Sequence, residues 1–171
     1  MSYNIHPIIV HFPVALLFLY SIIKILPLAK WWPNVAWKDI ERVLLFLGVL
    51  GALVALLTGN VARELVQPEQ KLVEAHETFA YLSFFIYGAL LLGEIIAIFK
   101  FKFLLTFKSK GMKMFLAFLE RIFSDKIIPK VLAVIGFISI IITGMLGGVM
   151  VYGLSADPFA PFVLKLLGIE I

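Results

Sequence analysis

A chain of 171 residues of which 62% are hydrophobic and only 15% charged is too apolar for a soluble domain, and its mean hydropathy of +1.04 indicates a lipid bilayer. The absence of cysteine excludes disulfides, cysteine-ligated iron–sulfur clusters and covalent attachment of a c-type haem. The net charge of +4 is carried by clustered lysines and arginines, which indicates membrane topology rather than nucleic-acid binding.

Four continuous apolar runs match the thickness of the hydrocarbon core and predict four transmembrane helices. Only helices and closed barrels satisfy every backbone group in lipid, and these runs do not alternate as barrel strands do. The sequence therefore predicts an all-α integral membrane protein, a four-helix up-down bundle that forms a single domain over residues 1–171. The spans are expected at about 8–28, 43–60, 76–99 and 131–152.

Two further helices are expected outside the hydrocarbon core. The segment at about 110–124, between spans three and four, places apolar and charged residues on opposite faces. This pattern predicts an amphipathic helix that lies at the membrane interface. A short apolar helix is expected at about 158–167. Because no lysine or arginine precedes Lys24, a cleavable signal peptide is not expected, and the first span is retained.

The basic residues fix the expected orientation. Segment 100–130 holds eight lysines and arginines against Glu120 and Asp125, whereas the loop between spans two and three is net negative. Because cytoplasmic loops collect lysine and arginine, both termini are predicted to lie outside. The three histidines, His6, His11 and His76, then lie toward the outer face.

The stretch "HPIIVHFP" opens the first span with two histidines and two prolines. Pro7 suits the first helical position, where its missing N–H is not needed, and His6, as the residue before proline, is expected just outside the helix. His11 lies more than a turn inside, beside a bend expected at Pro13. Histidine within a span is rare and by default suggests a functional site, so His11 is the predicted inward ring of this span.

The third span carries its small and polar residues on one stripe. Steps of three or four from His76 reach Ala80, Ser83 and Tyr87, and this stripe is predicted to face the bundle interior. In an up-down bundle, spans one and three are diagonal neighbours, so His11 and His76 are expected to face each other across roughly 11 to 14 Å. That separation suits two imidazoles that bind one iron from opposite sides.

The other diagonal pair, spans two and four, carries glycines near the same end: Gly59, Gly144, Gly147 and Gly148. Bare helix faces would admit a flat macrocycle, although glycine also permits close helix packing. The resulting hypothesis is a b-type haem with His11 and His76 as axial ligands, which leaves no open coordination position and favours electron transfer over oxygen chemistry. Arg63, His6 and Tyr152 are candidate partners for the haem propionates.

Two alternatives remain open from the residues alone. His6, His11 and His76 together could hold zinc or copper, or the chain could be a cofactor-free structural or assembly subunit in which the histidines only pack. Glu94, at the other end of span three, is expected either to pair with Lys24 or to belong to a proton relay. No nucleophile–base pair, phosphate loop or carboxylate dyad is present, which favours an electron-transfer protein or redox subunit over a stand-alone enzyme.

Four segments together resemble the family catalogued as domain of unknown function 2231. They are "HPIIVHFPVALL" at the start, "TGN" closing span two, a lone His76 opening span three, and "GMLGGVMVYG" closing span four. By position, the resemblance implies that His6, His11 and His76 are the motif histidines and that Gly144, Gly147, Gly148 and Tyr152 form the span-four motif.

The resemblance also implies a bacterial or archaeal inner-membrane protein whose relatives are joined to cytochrome c-like or Rieske-like domains. That context favours membrane redox chemistry. The chain is thus expected to pass electrons near the outer face between a quinol, or another membrane partner, and an external acceptor. A larger membrane complex or a second copy of the chain are further expected partners.

Overall fold

The computed structural model describes residues 4–66, 68–106, 109–125 and 127–169, and every regular element among them is helical. The elements in chain order are α1 (His6–Ile25), α2 (Leu28–Trp31), α3 (Trp37–Val66), α4 (Gln70–Thr106), α5 (Lys110–Ser124), α6 (Ile128–Tyr152), a 3₁₀ turn (Gly153–Ala156) and α7 (Ala160–Leu166).

Four of these helices are long and apolar enough to cross a membrane, which confirms the predicted all-α, four-span fold. The candidate spans are His6–Ile25, Trp37–Leu65, Gln70–Phe99 and Ile128–Ala156. The first ends three residues earlier than predicted because Leu26 precedes Pro27 and takes an extended conformation (φ −77°, ψ 148°). The amphipathic helix α5 has the predicted bounds, and α7 falls within the predicted C-terminal segment.

The spans are arranged so that each helix packs against two neighbours. Helix α1 contacts α3 and α6, and α4 contacts the same two helices from the opposite side. As predicted, α1 and α4 are therefore diagonal, and so are α3 and α6. We call the end where α1 and α4 begin the histidine end, and the opposite end, which carries Trp31 and Trp32, the tryptophan end.

The bundle interior is filled by large side chains in its middle and by a second cluster at the histidine end. Leu17, Tyr20, Leu45 and Tyr87 are almost wholly buried in the middle. The second cluster joins α4 and α6 to the C-terminal segment, where Leu164 of α7 is buried. Helix α7 thus covers the histidine end of the bundle.

Helices α1 and α3 pack closely because α3 presents glycines to α1. A Cβ at Gly48 would lie 2.5 Å from Leu17 Cδ2, and a Cβ at Gly51 would lie 3.3 Å from Pro13 Cδ. The glycine-bearing face of span two therefore serves helix packing along most of its length.

Gly48→Ala is expected to destabilise the bundle by about 1–3 kcal/mol, because Leu17 is fully buried and has no room to move away from the added methyl group. Thermal unfolding in detergent measures the effect. Gly88→Ala is the matched control, since a Cβ at Gly88 meets no atom within 4 Å. Equal unfolding temperatures for the two variants would contradict the close α1–α3 contact.

Candidate cofactor-binding site at the histidine end

His76 lies in the second turn of α4 and is half-buried against α6. Its Nδ1 is 3.0 Å from the carbonyl oxygen of Thr143. A carbonyl oxygen only accepts hydrogen bonds, so Nδ1 carries the proton and the Nε2 lone pair stays available. A Cβ at Gly147 would lie 3.4 Å from His76 Cε1, so this glycine leaves room for the imidazole.

His6 is held in the same way from the other side of the bundle. Its Nδ1 is 2.9 Å from Thr58 Oγ1. The Thr58 hydroxyl also lies 3.2 and 3.0 Å from the carbonyl oxygens of Val54 and Ala55, and when it donates its proton to these carbonyls its oxygen accepts an Nδ1–H of His6. In that tautomer the Nε2 of His6 is also available, and Gly59 lies beside the ring, with a Cβ there 3.6 Å from Cε1.

The backbone position of His6 differs from the prediction. His6 was expected just outside the helix, as the residue before proline, but it is the first residue of α1 and is half-buried. The Asn4 side chain accepts its backbone N–H at 3.2 Å, and Thr58 fixes its ring. The local contact with Asn4 and the tertiary contact with Thr58 together outweigh the preference of a residue that precedes proline.

His6 and His76 lie at the same end of the bundle, on the diagonal helices α1 and α4, and each ring packs beside a glycine of a neighbouring helix. At the histidine end each of the two imidazoles is thus held through Nδ1 by an oxygen of a neighbouring helix, and its Nε2 forms no hydrogen bond with another described residue. This arrangement is typical of histidines that bind a metal, whose second nitrogen donates to a carbonyl or hydroxyl.

His11 is not part of this pair, so the expectation that it faces His76 is corrected. Its side chain is exposed on the outside of the bundle, and its Nδ1 bonds back to the carbonyl oxygen of Pro7. On a helix that turns about 100° per residue, His11 lies about 120° from the wholly buried Leu17. His6 lies about 20° from Leu17 in the same projection, and so it faces the interior.

The three-histidine alternative is likewise not supported by the arrangement. Within the described parts of the chain, no group of three or more histidine, aspartate or glutamate side chains is placed to hold a metal ion. Because His11 points away from the other two rings, His6, His11 and His76 do not converge on one point.

The remaining predicted site residues lie around the pair. Arg63 donates to Gln70 Oε1 at 2.8 Å and pairs with Glu77 at 3.5 Å, which places its guanidinium at the rim between α3 and α4. Tyr152 is 74% exposed. Gly144 is exposed and has no atom within 4 Å of an added Cβ, whereas Gly148 packs at 3.5 Å from Ala156 Cβ.

The predicted inward-facing stripe of α4 is confirmed for the polar residues that follow His76 along the helix. Ser83 and Tyr87 are buried, and Ser83 donates to Ser139 Oγ at 3.0 Å, which in turn donates to the carbonyl of Phe79 at 2.9 Å. Further along, the Tyr87 hydroxyl is 2.7 Å from Ser21 Oγ across the diagonal. These bonds hold α4 against α6 and α1 and fix the rotation of α4 that turns His76 inward.

Two residues that fix the imidazoles were not among the predicted site residues, namely Thr58 and Thr143. Thr58 opens the "TGN" segment directly before Gly59, and Thr143 stands one turn before Gly147. The signal that could have identified Thr58 is a hydroxyl directly before a glycine near the histidine end of a span. Thr143 acts through its backbone carbonyl, which every residue carries, so the sequence holds no signal for it.

A comparison with family models places the chain. The model described as "Predicted membrane protein (DUF2231)" matches residues 2–156, which include all four spans. No curated protein and no solved structure matches the chain. The chain therefore belongs to the family of predicted membrane proteins catalogued as domain of unknown function 2231.

Proposed function

We propose that this membrane protein binds one b-type haem at the histidine end, that His6 and His76 would hold it, and that the protein transfers electrons. The observation that carries the proposal is the shared arrangement of the two rings. Each Nδ1 is held by an oxygen of the facing helix, so that Nε2 of each ring would be the ligating atom.

The donor set of these residues suits such a group. Iron is ligated by neutral imidazole, and the hydrogen bonds at Nδ1 would fix the orientation of both rings and raise their basicity as ligands. A haem held by these two residues would supply reversible one-electron chemistry. Arg63, at the rim, is the candidate partner for a propionate, in exchange for its present contacts with Gln70 and Glu77.

The proposed setting is a bacterial or archaeal inner membrane with the histidine end and both termini outside. The support is the cluster of lysines and arginines in segment 100–130, which belongs to the tryptophan end. The proposed electron partners are a membrane quinol and an external cytochrome c-like or Rieske-like protein. Association with a larger membrane complex or with a second copy of the chain belongs to the same proposal.

The test is an optical spectrum of the protein purified in detergent after expression with added haem precursor. We expect a Soret band, a reduced-minus-oxidised difference with α and β bands, and a pyridine haemochrome of the b type at about one haem per chain. The double variant His6→Ala/His76→Ala provides the reference spectrum of the protein without haem. A wild-type spectrum equal to that baseline would refute the proposal and favour the cofactor-free subunit, in which the two imidazoles only pack against Gly59 and Gly147.

A further inference from the structure

A half-open cavity of about 240 Å³ lies between the beginning of α4 and the end of α6. Its wall is formed by Pro68, Glu69, Leu72, Val149, Met150, Gly153 and Leu154. Gly153 has a positive φ of 71°, a conformation that favours glycine, and there the chain leaves α6 and turns toward α7. The cavity is thus shaped by the turn that ends the fourth span.

The cavity lies beside the histidine pair. Leu72 precedes His76 by four residues on α4, which is about 6 Å along the helix axis. Val149 follows Gly147, the residue against which His76 packs, by two residues on α6, or about 3 Å. A molecule in this cavity is separated from the His76 ring by about one helical turn.

The chemistry of the wall selects a neutral, mainly apolar ligand. Of the seven lining residues only Glu69 is ionisable, and none is basic, so an anionic phosphate head group meets a carboxylate and no cation. Leu154 is 44% exposed and connects the cavity with the apolar outer surface of the bundle.

One lining residue, Glu69, carries a hydrogen-bonding side chain. Its carboxylate oxygens accept hydrogen bonds, so this edge of the cavity offers an acceptor for a hydroxyl. The Glu69 backbone carbonyl already accepts the N–H groups of Leu72 and Val73, both at 3.1 Å.

We propose that this cavity binds the head group of a membrane quinone. The reduced form of a quinone, a quinol, is a flat apolar ring with a hydroxyl at each end and an apolar tail, which matches an apolar cavity with a carboxylate acceptor at one edge. The volume of about 240 Å³ is below the range of roughly 300–1,000 Å³ typical of pockets that enclose a whole ligand, so the ring enters and the tail stays in lipid. The proposal rests on the proposed redox function, for which it names the membrane partner.

The experiment is photolabelling of the full chain in phosphatidylcholine nanodiscs with an azidoquinone, followed by peptide mapping. We expect label on the peptides that contain Leu72 and residues 149–154, and at least a fivefold loss of it with excess ubiquinone-2. Leu154→Trp, which fills the cavity mouth, is expected to lower the labelling several-fold. Val61→Trp is the matched control, because Val61 is an exposed residue on α3 near the same end of the bundle.

Two outcomes would overturn the quinone site. Label spread evenly over the lipid-facing helices, or unaffected by ubiquinone-2, would mean that the probe only partitions into lipid. If an alkyl alcohol, which has no ring, competed as strongly as ubiquinone-2, the cavity would be assigned to an acyl chain. Labelling does not require haem, so its result is independent of the optical spectrum and separates failure of this site from failure of haem binding.

Discussion

Replacement of His76 by alanine is expected to abolish the Soret band of the purified protein, and replacement of His6 is expected to do the same. Each ring is a proposed axial ligand, and no other described histidine lies near enough to substitute, because His11 is on the outside of α1. Haem content per chain, measured by pyridine haemochrome, should fall at least tenfold in each variant.

His11→Ala is the matched control for both variants. It removes an imidazole from the same helix as His6, about 7.5 Å further along the helix axis and on the exposed face, so its haem content and spectrum should equal those of the wild type. The opposite pattern, with the band lost in His11→Ala and kept in His6→Ala, would show that the inward orientation of His6 does not determine ligation. Circular dichroism of each variant separates ligand loss from misfolding.

Glu94→Ala is expected to produce the largest loss of stability among the charged residues. Glu94 accepts from Arg42 Nε at 3.2 Å and lies 4.0 Å from Lys24 Nζ, which also pairs with Glu41 at 2.9 Å. The Lys24, Glu41 and Glu94 side chains are only about a fifth exposed, at 18%, 17% and 20%. Removal of Glu94 leaves Arg42 without its partner on α4 and weakens the neutralisation of Lys24.

The expected magnitude lies between two limits. Removing one partner of a fully buried ion pair costs about 3–5 kcal/mol, and an exposed pair contributes about 0–1 kcal/mol. Because the side chains of this cluster are about one-fifth exposed, Glu94→Ala should lower the free energy of unfolding by about 2 kcal/mol. For a chain of this length that corresponds to a fall in unfolding temperature of about 5 °C. Thermal unfolding in detergent at low salt measures it.

Asp39→Ala is the control for this cluster. Asp39 also pairs with Arg42, at 3.3 Å, but its side chain is 74% exposed, so its removal should change the free energy of unfolding by less than about 0.5 kcal/mol. Equal destabilisation by the two variants would mean that burial does not set the strength of these pairs. The expected Lys24–Glu94 pair is present, and Glu94 is better described as a member of this cluster than as a lone relay carboxylate.

The sequence was most informative where a single physical cause dominates. Length and hydropathy locate the spans because the hydrocarbon core excludes unpaired backbone and most charges. The stripe on α4 was predictable because a few polar residues in an apolar helix avoid lipid, and Ser83 and Tyr87 are indeed buried. The bounds of α5 followed from its strong separation of apolar and charged faces.

The sequence pattern of the first span does not show whether His6 or His11 faces the bundle interior. Helix α1 is apolar on all sides, so its composition does not show which face turns inward. Because five residues separate the two histidines, only one of them can face the interior, and depth alone favoured His11. The contact that decides the matter, from His6 to Thr58, joins residues 52 positions apart.

The ion-pair cluster shows the same limit at the other end of the bundle. Glu41 and Arg42 stand in the first turns of α3, where the sequence indicates only a charged loop beside a span. Their burial arises from the packing of α3 against α1 and α4, which brings Lys24 and Glu94 to the same level. The sequence of any one helix does not show that charged side chains of three helices meet at this level.

The diagonal placement of α1 and α4 has a consequence for biosynthesis. The first two spans form a hairpin that already positions His6, because Thr58 and the glycines that receive α1 all belong to α3. His76 arrives only with the third span, and the carbonyl that orients it only with the fourth. During insertion into the membrane, the His6 ring is thus positioned once the first two spans have entered, and the arrangement of the two imidazoles becomes complete only with the fourth span.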